Sequence, residues 1–564
     1  MDVSANLPAF SPPGNGMFVH DVTHYPQAVP RMYARALVEH FARGFAEGVK
    51  RHAGLLLTLD HQEVNGFIYN QPRFVGVAQG EALSPRAATL LTRTHPEYVE
   101  RALAAETVFE RRPWRDDLRL WDGEVKPRNE RCYLDLLALD VHTVSDDELA
   151  RHVVLCQEEL ERALYTRGRF STSSVLPTAD FAAHVVEWAG VSPTDALREI
   201  RGASGESRGV PPELQALVAA IRVDGAAERT LDTRDAGKAL QALQDRSDAV
   251  GEAARGYLRR AGYRLVGGCD HGQPYALELP NVLLDCIRSQ VNAKPFAAAG
   301  AARSFEVLRD RVPDVHRAAY DALAEEARVT TRLRDEAALY CDVWISGVLR
   351  RAVVEAGERL VKRGALENAI DVIEATSMEI VGLLVGEPSL DGGAFAARAR
   401  LRATLNGMGC PPFLGLPPPI LPPPPESLPP AMRRGARADE MLLVGMYFDA
   451  PPVAVERDGV ISGLGVSAGV YEGPARIVRE PKELDRLVPG DVLVALVTSP
   501  AYTRSFGSIG AVVTDRGGAL SHAAITAREH GIPGVVGTRD ASKRITDGMR
   551  IRVDGTRGEV RMLK

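Results

Sequence analysis

From Pro30 to about His52 apolar side chains return every four residues, at Tyr33, Leu37, Phe41, Phe45 and Val49. That spacing predicts an amphipathic helix with a proline near its start. Leu55 to Leu59 and Val64 to Tyr69 read as short strands or helix ends, with Asn65-Gly66 as a turn signal. The stretch from about Ser84 to Thr178 is mostly helical in pattern. It is clearest from Pro85 to Arg112 and from Ser145 to Arg167, where Ser145 and Glu148 have the spacing of a capping box. Helical segments continue to Ile221, broken at Gly190, at Gly202 to Gly209 and at Pro211-Pro212. They resume from Thr233 to Arg260 and again from Ala297 to Leu384.

The pattern then changes twice. Eleven of the twenty residues from Pro411 to Pro430 are proline, which favours extended polyproline II and excludes helix and sheet. A stiff connector over 410–452 is expected. After Val453 the period becomes strand-like, at Val492 to Val497, Ala511 to Val513, Gly534 to Gly537, Arg550 to Val553 and Glu559 to Met562, with glycine turns between. The expected organisation is multidomain: a mainly α-helical region over 1–409, the proline-rich linker over 410–452 and a compact β/α domain over 453–564.

Composition narrows the class. A length of 564 residues allows two to four domains, and 45% hydrophobic with 25% charged residues is ordinary for a soluble globular protein. A net charge of −6 argues against a basic nucleic-acid-binding surface of whole-domain size. The six cysteines are scattered with no CxxC pair, which speaks against a structural zinc site or a disulfide framework. Met1 to Gly16 lacks the basic start and apolar core of a signal peptide, and no apolar run approaches bilayer-spanning length. A cytoplasmic location is expected.

Chemistry concentrates between Thr514 and Glu529. The short β-branched run Ala511-Val512-Val513 reads as a buried strand, which Gly517-Gly518 breaks. Ser521 is a good N-cap for a helix running to Glu529 and stopped by Gly531 and Pro533. His522 then sits in the first turn of a short helix, where unpaired N–H groups and the positive end of the helix dipole favour an anion. An imidazole placed there can act as a nucleophile toward phosphorus.

This stretch resembles the mobile phosphohistidine (swivel) domain of the phosphoenolpyruvate-synthase and pyruvate-phosphate-dikinase superfamily. The likeness rests on Thr514-Asp515, Gly517-Gly518, Leu520-Ser521-His522-Ala523-Ala524-Ile525, Ala527-Arg528-Glu529, Gly531-Ile532-Pro533, Val535-Val536-Gly537, Asp547-Gly548 and Val553-Asp554-Gly555. It implies a swivelling β/β/α domain whose histidine carries a phosphoryl group between distant sites. Earlier patches resemble the helical central region of the same superfamily, as in the acceptor-binding domain of rifampicin phosphotransferase or the large subunit of phenylphosphate synthase. They are Asp21 with Thr23-His24-Tyr25-Pro26, Asn65-Gly66 with Tyr69, Gly262-Tyr263-Arg264 with Glu278-Leu279-Pro280, Leu333-Arg334-Asp335, and Gly357 with Gly364 and Asp371-Val372.

By that resemblance the expected activity is the acceptor and phosphohistidine part of a split dikinase-like phosphotransferase. No glycine-rich nucleotide loop is recognisable, and Gly202 to Ser207 lacks the ending of a P-loop. No β/α barrel is expected after the histidine domain. ATP and Mg2+ are therefore expected on a separate ATP-grasp protein, and a small organic hydroxyl compound is the expected acceptor. His522 is the expected carrier, with Thr514, Gly517, Gly518 and Ser521 at the phosphoryl oxygens. Arg334 is a candidate clamp, although Ala338 stands where drug-phosphorylating relatives place a lysine. His20, His24, Arg264 and His271 are candidates on the acceptor side, the histidines for activating the hydroxyl. Arg528 reads as a salt-bridge or docking residue. Asp21 and His24 also have the chemistry of a metal pair but lack further clustered ligands, so no metal is expected. The alternative is a phosphocarrier, a regulatory subunit or a ligand-binding protein without acceptor chemistry of its own.

Overall fold

The computed structural model describes residues 7–22, 24–52, 57–79, 81, 84–198, 200, 211–266, 268–292, 308–386, 392–416, 424–446, 459–479, 481–498, 500–519 and 521–563. Among them the chain folds as a mainly α-helical protein with an 8-stranded sheet near its C-terminus. It divides into two compact units. The first comprises 1–174, 269–273 and 337–437, and the second comprises 175–268, 274–336 and 438–564. The helical half does not form one body ahead of the linker: residues 175–268 and 274–336 cluster with the C-terminal sheet.

In the first unit the four-residue apolar repeat becomes a helical run, Arg31–Ala36 and Ala42–His52, joined by a π turn at Leu37–Phe41. The stretches on either side of Asn65-Gly66 form an antiparallel hairpin, β2 (Leu57–Val64) and β3 (Phe67–Phe74). β1 (Phe18–His20) pairs with β3, and β4 (Phe413–Leu414) closes the sheet in the order β2-β3-β1-β4. The register sets His61 opposite Asn70, and Asn70 opposite Val19.

The segment expected as an extended linker is therefore partly regular. Strand β4 lies in it, and Pro430–Met446 is a helix. The prolines do not prevent this. β4 uses the non-proline pair Phe413-Leu414, and Pro430 occupies the first helical turn, where its missing N–H would have had no partner. The central proline run, 417–423, lies outside the described residues.

In the second unit β7 (Val470–Val478), β8 (Val492–Ala495), β9 (Ala511–Thr514) and β10 (Gly534–Val536) run parallel. Antiparallel neighbours β5 (Val460–Ser462), β6 (Leu464–Ser467), β11 (Arg550–Asp554) and β12 (Glu559–Met562) complete the order β5-β12-β11-β7-β8-β9-β10-β6. Alternation decides the packing. Leu493, Ala495, Val512 and Val536 face the helix His522–His530 through Ala523, Ala524 and Ala527. Val492, Val494, Ala511, Val513 and Val535 face the opposite way, against Ile551 and Val553. Burial on both faces explains why these strands read as continuous apolar runs. No described helix is long and apolar enough to cross a membrane.

One contact in the first unit is limited by backbone approach. A Cβ on Gly44 would lie 2.0 Å from the Tyr165 carbonyl oxygen, and one on Gly168 would lie 2.2 Å from that of Phe41. The helices Ala42–His52 and Asp146–Ala189 thus cross at glycine-only spacing. Gly44→Ala is expected to lower stability by about 1–3 kcal/mol, read as an earlier midpoint in urea unfolding.

Candidate active site around His522

The site grows from the carboxyl ends of parallel strands, the usual place for a ligand on such a sheet. β9 ends at Thr514, and the chain turns through Asp515, Arg516 and Gly517. Gly517 has φ 117°, and a Cβ there would lie 2.8 Å from Ser521 Oγ. Only glycine satisfies both conditions. Ser521 is extended (φ −65°, ψ 157°), and its Oγ accepts from Ala524 N at 3.4 Å, capping the helix His522–His530. Gly531 ends that helix in the left-handed conformation.

The base of the loop is tied by buried polar groups. Thr514 Oγ1 donates to the Arg516 carbonyl at 2.7 Å. Asp515, almost fully buried, accepts from Ser542 N at 2.9 Å, from the Ser542 hydroxyl and from Thr538 Oγ1 at 3.3 Å. Burial pushes its carboxyl pKa up against those hydrogen bonds. Arg528 is 3% exposed, and its guanidinium donates to the carbonyls of Ala519 (2.8 Å) and Val466 (3.4 Å). Sequence reasoning expected a salt-bridge or docking role. In the structure this cation holds the glycine loop by its backbone.

His522 is half-buried between two hydroxyls, Thr498 Oγ1 at 2.8 Å from Nδ1 and Thr526 Oγ1 at 3.2 Å from Nε2. The Phe506 ring stands edge-on to it, 6.0 Å between centroids. Burial, then the positive charge of Arg334, then His530, bring its pKa down to about 3. The imidazole is thus neutral at neutral pH and keeps a lone pair for attack. Arg334 sits on the helix Asp314–Ala338, 3.5 Å from Asp335. That helix reaches the histidine domain within the second unit: Tyr320, Ala324 and Ala327 share a hydrophobic cluster with Ala519 of the glycine loop.

Of the residues marked in the sequence, Gly517, Gly518, Ser521, His522 and Arg334 come together. Thr514 supports the turn through its hydroxyl rather than offering it to a ligand. Leu520 and Thr23 lie outside the described residues. Arg264 belongs to the second unit, in the turn after the helix Ala249–Ala261. His20, His24 and His271 belong to the first. His20 Nε2 is 3.0 Å from the Tyr25 carbonyl, and its ring packs edge-on against Phe67. His271 has no exposed surface, and burial followed by Arg350 and Arg402 brings its pKa to about 3. It offers an acceptor no face, so its expected role in hydroxyl activation is withdrawn. Thr498, Thr526 and Phe506 escaped the sequence reading. Only Thr526 left a signal, four residues after His522 on one helix face; the others arrive through strand order. Among the described residues no cluster of His, Cys, Asp and Glu is arranged to hold a metal ion.

Comparison with known proteins agrees with this geometry. Residues 487–558 match the family model of the PEP-utilising enzyme mobile domain, and residues 173–351 match the rifampicin phosphotransferase fourth domain. Both matches, with relatives named rifampicin phosphotransferase and phosphoenolpyruvate synthase, support placing these regions in the phosphoenolpyruvate-utilising superfamily. It is 31% identical to a rifampicin phosphotransferase of Streptomyces sp over 341 residues, covering 55% of this chain and 34% of that protein. It is 31% identical to the uncharacterized phosphotransferase YvkC of Bacillus subtilis (strain 168) over 231 residues, 41% of this chain and 26% of the relative. Over 105 residues it is 44% identical to the phosphoenolpyruvate synthase of Pyrococcus furiosus, 19% of this chain and 13% of that enzyme. The chain thus spans about a third or less of these relatives' lengths.

The His522 environment makes a direct prediction. In a histidine-selective NMR titration its ring should stay neutral down to about pH 3. Because Arg334 opposes the imidazolium, Arg334→Ala should move the midpoint upward.

Proposed function

We propose that the chain is the acceptor and phosphohistidine part of a dikinase-like phosphotransferase. His522 takes a phosphoryl group derived from ATP on an ATP-grasp protein acting in trans and passes it to a small organic hydroxyl acceptor. ATP and Mg2+ stay with that partner. The observation that carries this reading is a neutral imidazole at the N-terminus of a glycine-preceded helix, under the charge of Arg334. The similarity to phosphotransferases and to phosphoenolpyruvate synthase supports it.

The chemistry follows from the contacts. In this reading Nδ1 carries the proton and donates to Thr498 Oγ1, 2.8 Å away, which leaves the Nε2 lone pair for phosphorus. The Thr526 hydroxyl, bonded to Nε2 in the resting state, turns aside as the P–N bond forms. The phosphorylated ring keeps its Nδ1 proton, so the returning electron pair leaves a neutral imidazole when the group departs. The positive end of the helix His522–His530 and the Arg334 guanidinium offset the phosphoryl charge. Transfer of this kind depends on positioning and charge more than on covalent help.

With an ATP-grasp protein and ATP labelled in its β- and γ-phosphates, the full chain should acquire acid-labile, base-stable label. His522→Ala should acquire none, and label retained in that variant rejects the proposal. Thr498→Val should slow loading about five- to tenfold, the worth of one neutral hydrogen bond. An unchanged loading rate would show that Thr498 does not set the tautomer.

A further inference from the structure

We infer that Asp21 and His24 form a general-base dyad that takes the proton from the acceptor hydroxyl, with His24 as the base and Asp21 as the residue that positions it. The inference rests on the phosphohistidine reading above and names the group in the first unit that completes it.

Both residues lie on the loop after β1. His24 Nδ1 donates to Asp21, 2.8 Å from Oδ1 and 3.1 Å from Oδ2. Asp21 is itself fixed: it is 4% exposed and accepts from Asn70 Nδ2 at 3.0 Å. Asn70 comes from the middle of β3, so the sheet register anchors the carboxylate. With Nδ1 engaged, Nε2 carries the lone pair and has no hydrogen-bond partner among the described residues, while the side chain keeps 37% of its surface accessible. His52 in the same unit shows the structural alternative. It has no exposed side-chain surface, Nδ1 lies 2.9 Å from the Gly48 carbonyl, and Nε2 lies 2.6 Å from Asp117. Both ring nitrogens of His52 thus lie within 3 Å of a partner atom inside the fold. His24 uses one and presents the other.

Further polar groups lie around the pair. Arg167 on the helix Asp146–Ala189 pairs with Asp342 at 3.2 Å, and Asp342 lies on the π turn Leu339–Trp344. The Tyr25 and Tyr33 hydroxyls are 3.5 Å apart, and burial keeps both phenols protonated. The charges bearing on His24 are Asp21, Arg167 and Asp342, while His61 on β2 bears on Asp21. Burial pulls the His24 pKa down, but Asp21 outweighs it and the net direction is up. Burial likewise opposes the Asp21 charge, but His24 and Asn70 hold its pKa at about 2. The carboxylate therefore stays charged and stabilises the imidazolium that forms.

The step balances. The acceptor O–H proton moves to His24 Nε2, the oxygen forms a bond to phosphorus, and the P–N bond to His522 breaks with its electron pair returning to the imidazole. A phosphate ester, a His24 imidazolium and a neutral His522 result. The imidazolium then loses its proton through its accessible face.

The test loads the full-length protein with potassium phosphoramidate, which needs no partner, and follows phosphohistidine and ester by phosphorus NMR with phenol and with glycerol as acceptor probes. His24→Gln should load as fast as wild type but form ester at least 100-fold more slowly. Asp21→Asn should slow ester formation and move its pH midpoint downward, which a merely structural residue would not do. Equal ester formation by loaded wild type and His24→Gln overturns the inference, as does a loaded wild type that transfers to neither probe. Failure of wild type to load at His522 instead overturns the phosphohistidine reading. Should His24→Gln unfold, the histidine spectrum of wild type decides: an Nδ1–H tautomer with a midpoint above 6.5 supports the dyad, and a midpoint below 6.5 overturns it.

Discussion

A histidine that is to hold phosphorus must first be kept from holding a proton. In the second unit this constraint is met by placing the His522 ring where a proton is unwelcome: half-buried, at the positive end of a helix and under the field of Arg334. The same features that repel a proton attract a phosphoryl group, which brings negative charge. One electrostatic arrangement therefore serves both halves of the carrier's task.

Holding that arrangement in place requires much of the surrounding fold. The glycine loop must turn at Gly517 without a side chain, keep Ser521 over the helix end and sit at the carboxyl edge of β9. Two buried polar residues enforce this. Asp515 gathers Ser542 and Thr538 beneath the loop, and Arg528 holds the Ala519 carbonyl above it. The parallel strands supply the frame, with apolar residues on both faces and the histidine helix packed through alanines close enough to place the ring at the strand ends.

What the sequence disclosed follows the range of each signal. The strand, glycine turn, serine cap and helix around His522 are local, each set by a few adjacent residues, and they appear where the residue pattern puts them. The Asn65-Gly66 hairpin is of the same kind. The three segments expected from composition were less informative about packing. Proline content predicted an extended 410–452 and missed both the helix Pro430–Met446 and the two residues that complete a sheet with β1. Nor could periodicity show that 175–336 would cluster largely with the C-terminal sheet. Thr498 and Phe506 reach His522 through strand order, and nothing local to either residue announces it. Arg334 could be marked only by resemblance, while its effect on His522 emerged from tertiary packing.

The two histidines at the centre of this reading are pushed in opposite directions by environments that each contain a charged neighbour. His522 has a cation near it and titrates low; His24 has a carboxylate against it and titrates high. The contrast maps onto chemistry. A nucleophile is served by an unprotonated ring, and a base by a ring that welcomes the proton it must take. Exchanging the neighbours would defeat both roles: a carboxylate beside His522 would repel the phosphoryl group, and a cation against Nδ1 of His24 would oppose the imidazolium. The polarity of each neighbour is thus matched to whether its ring receives phosphorus or hydrogen.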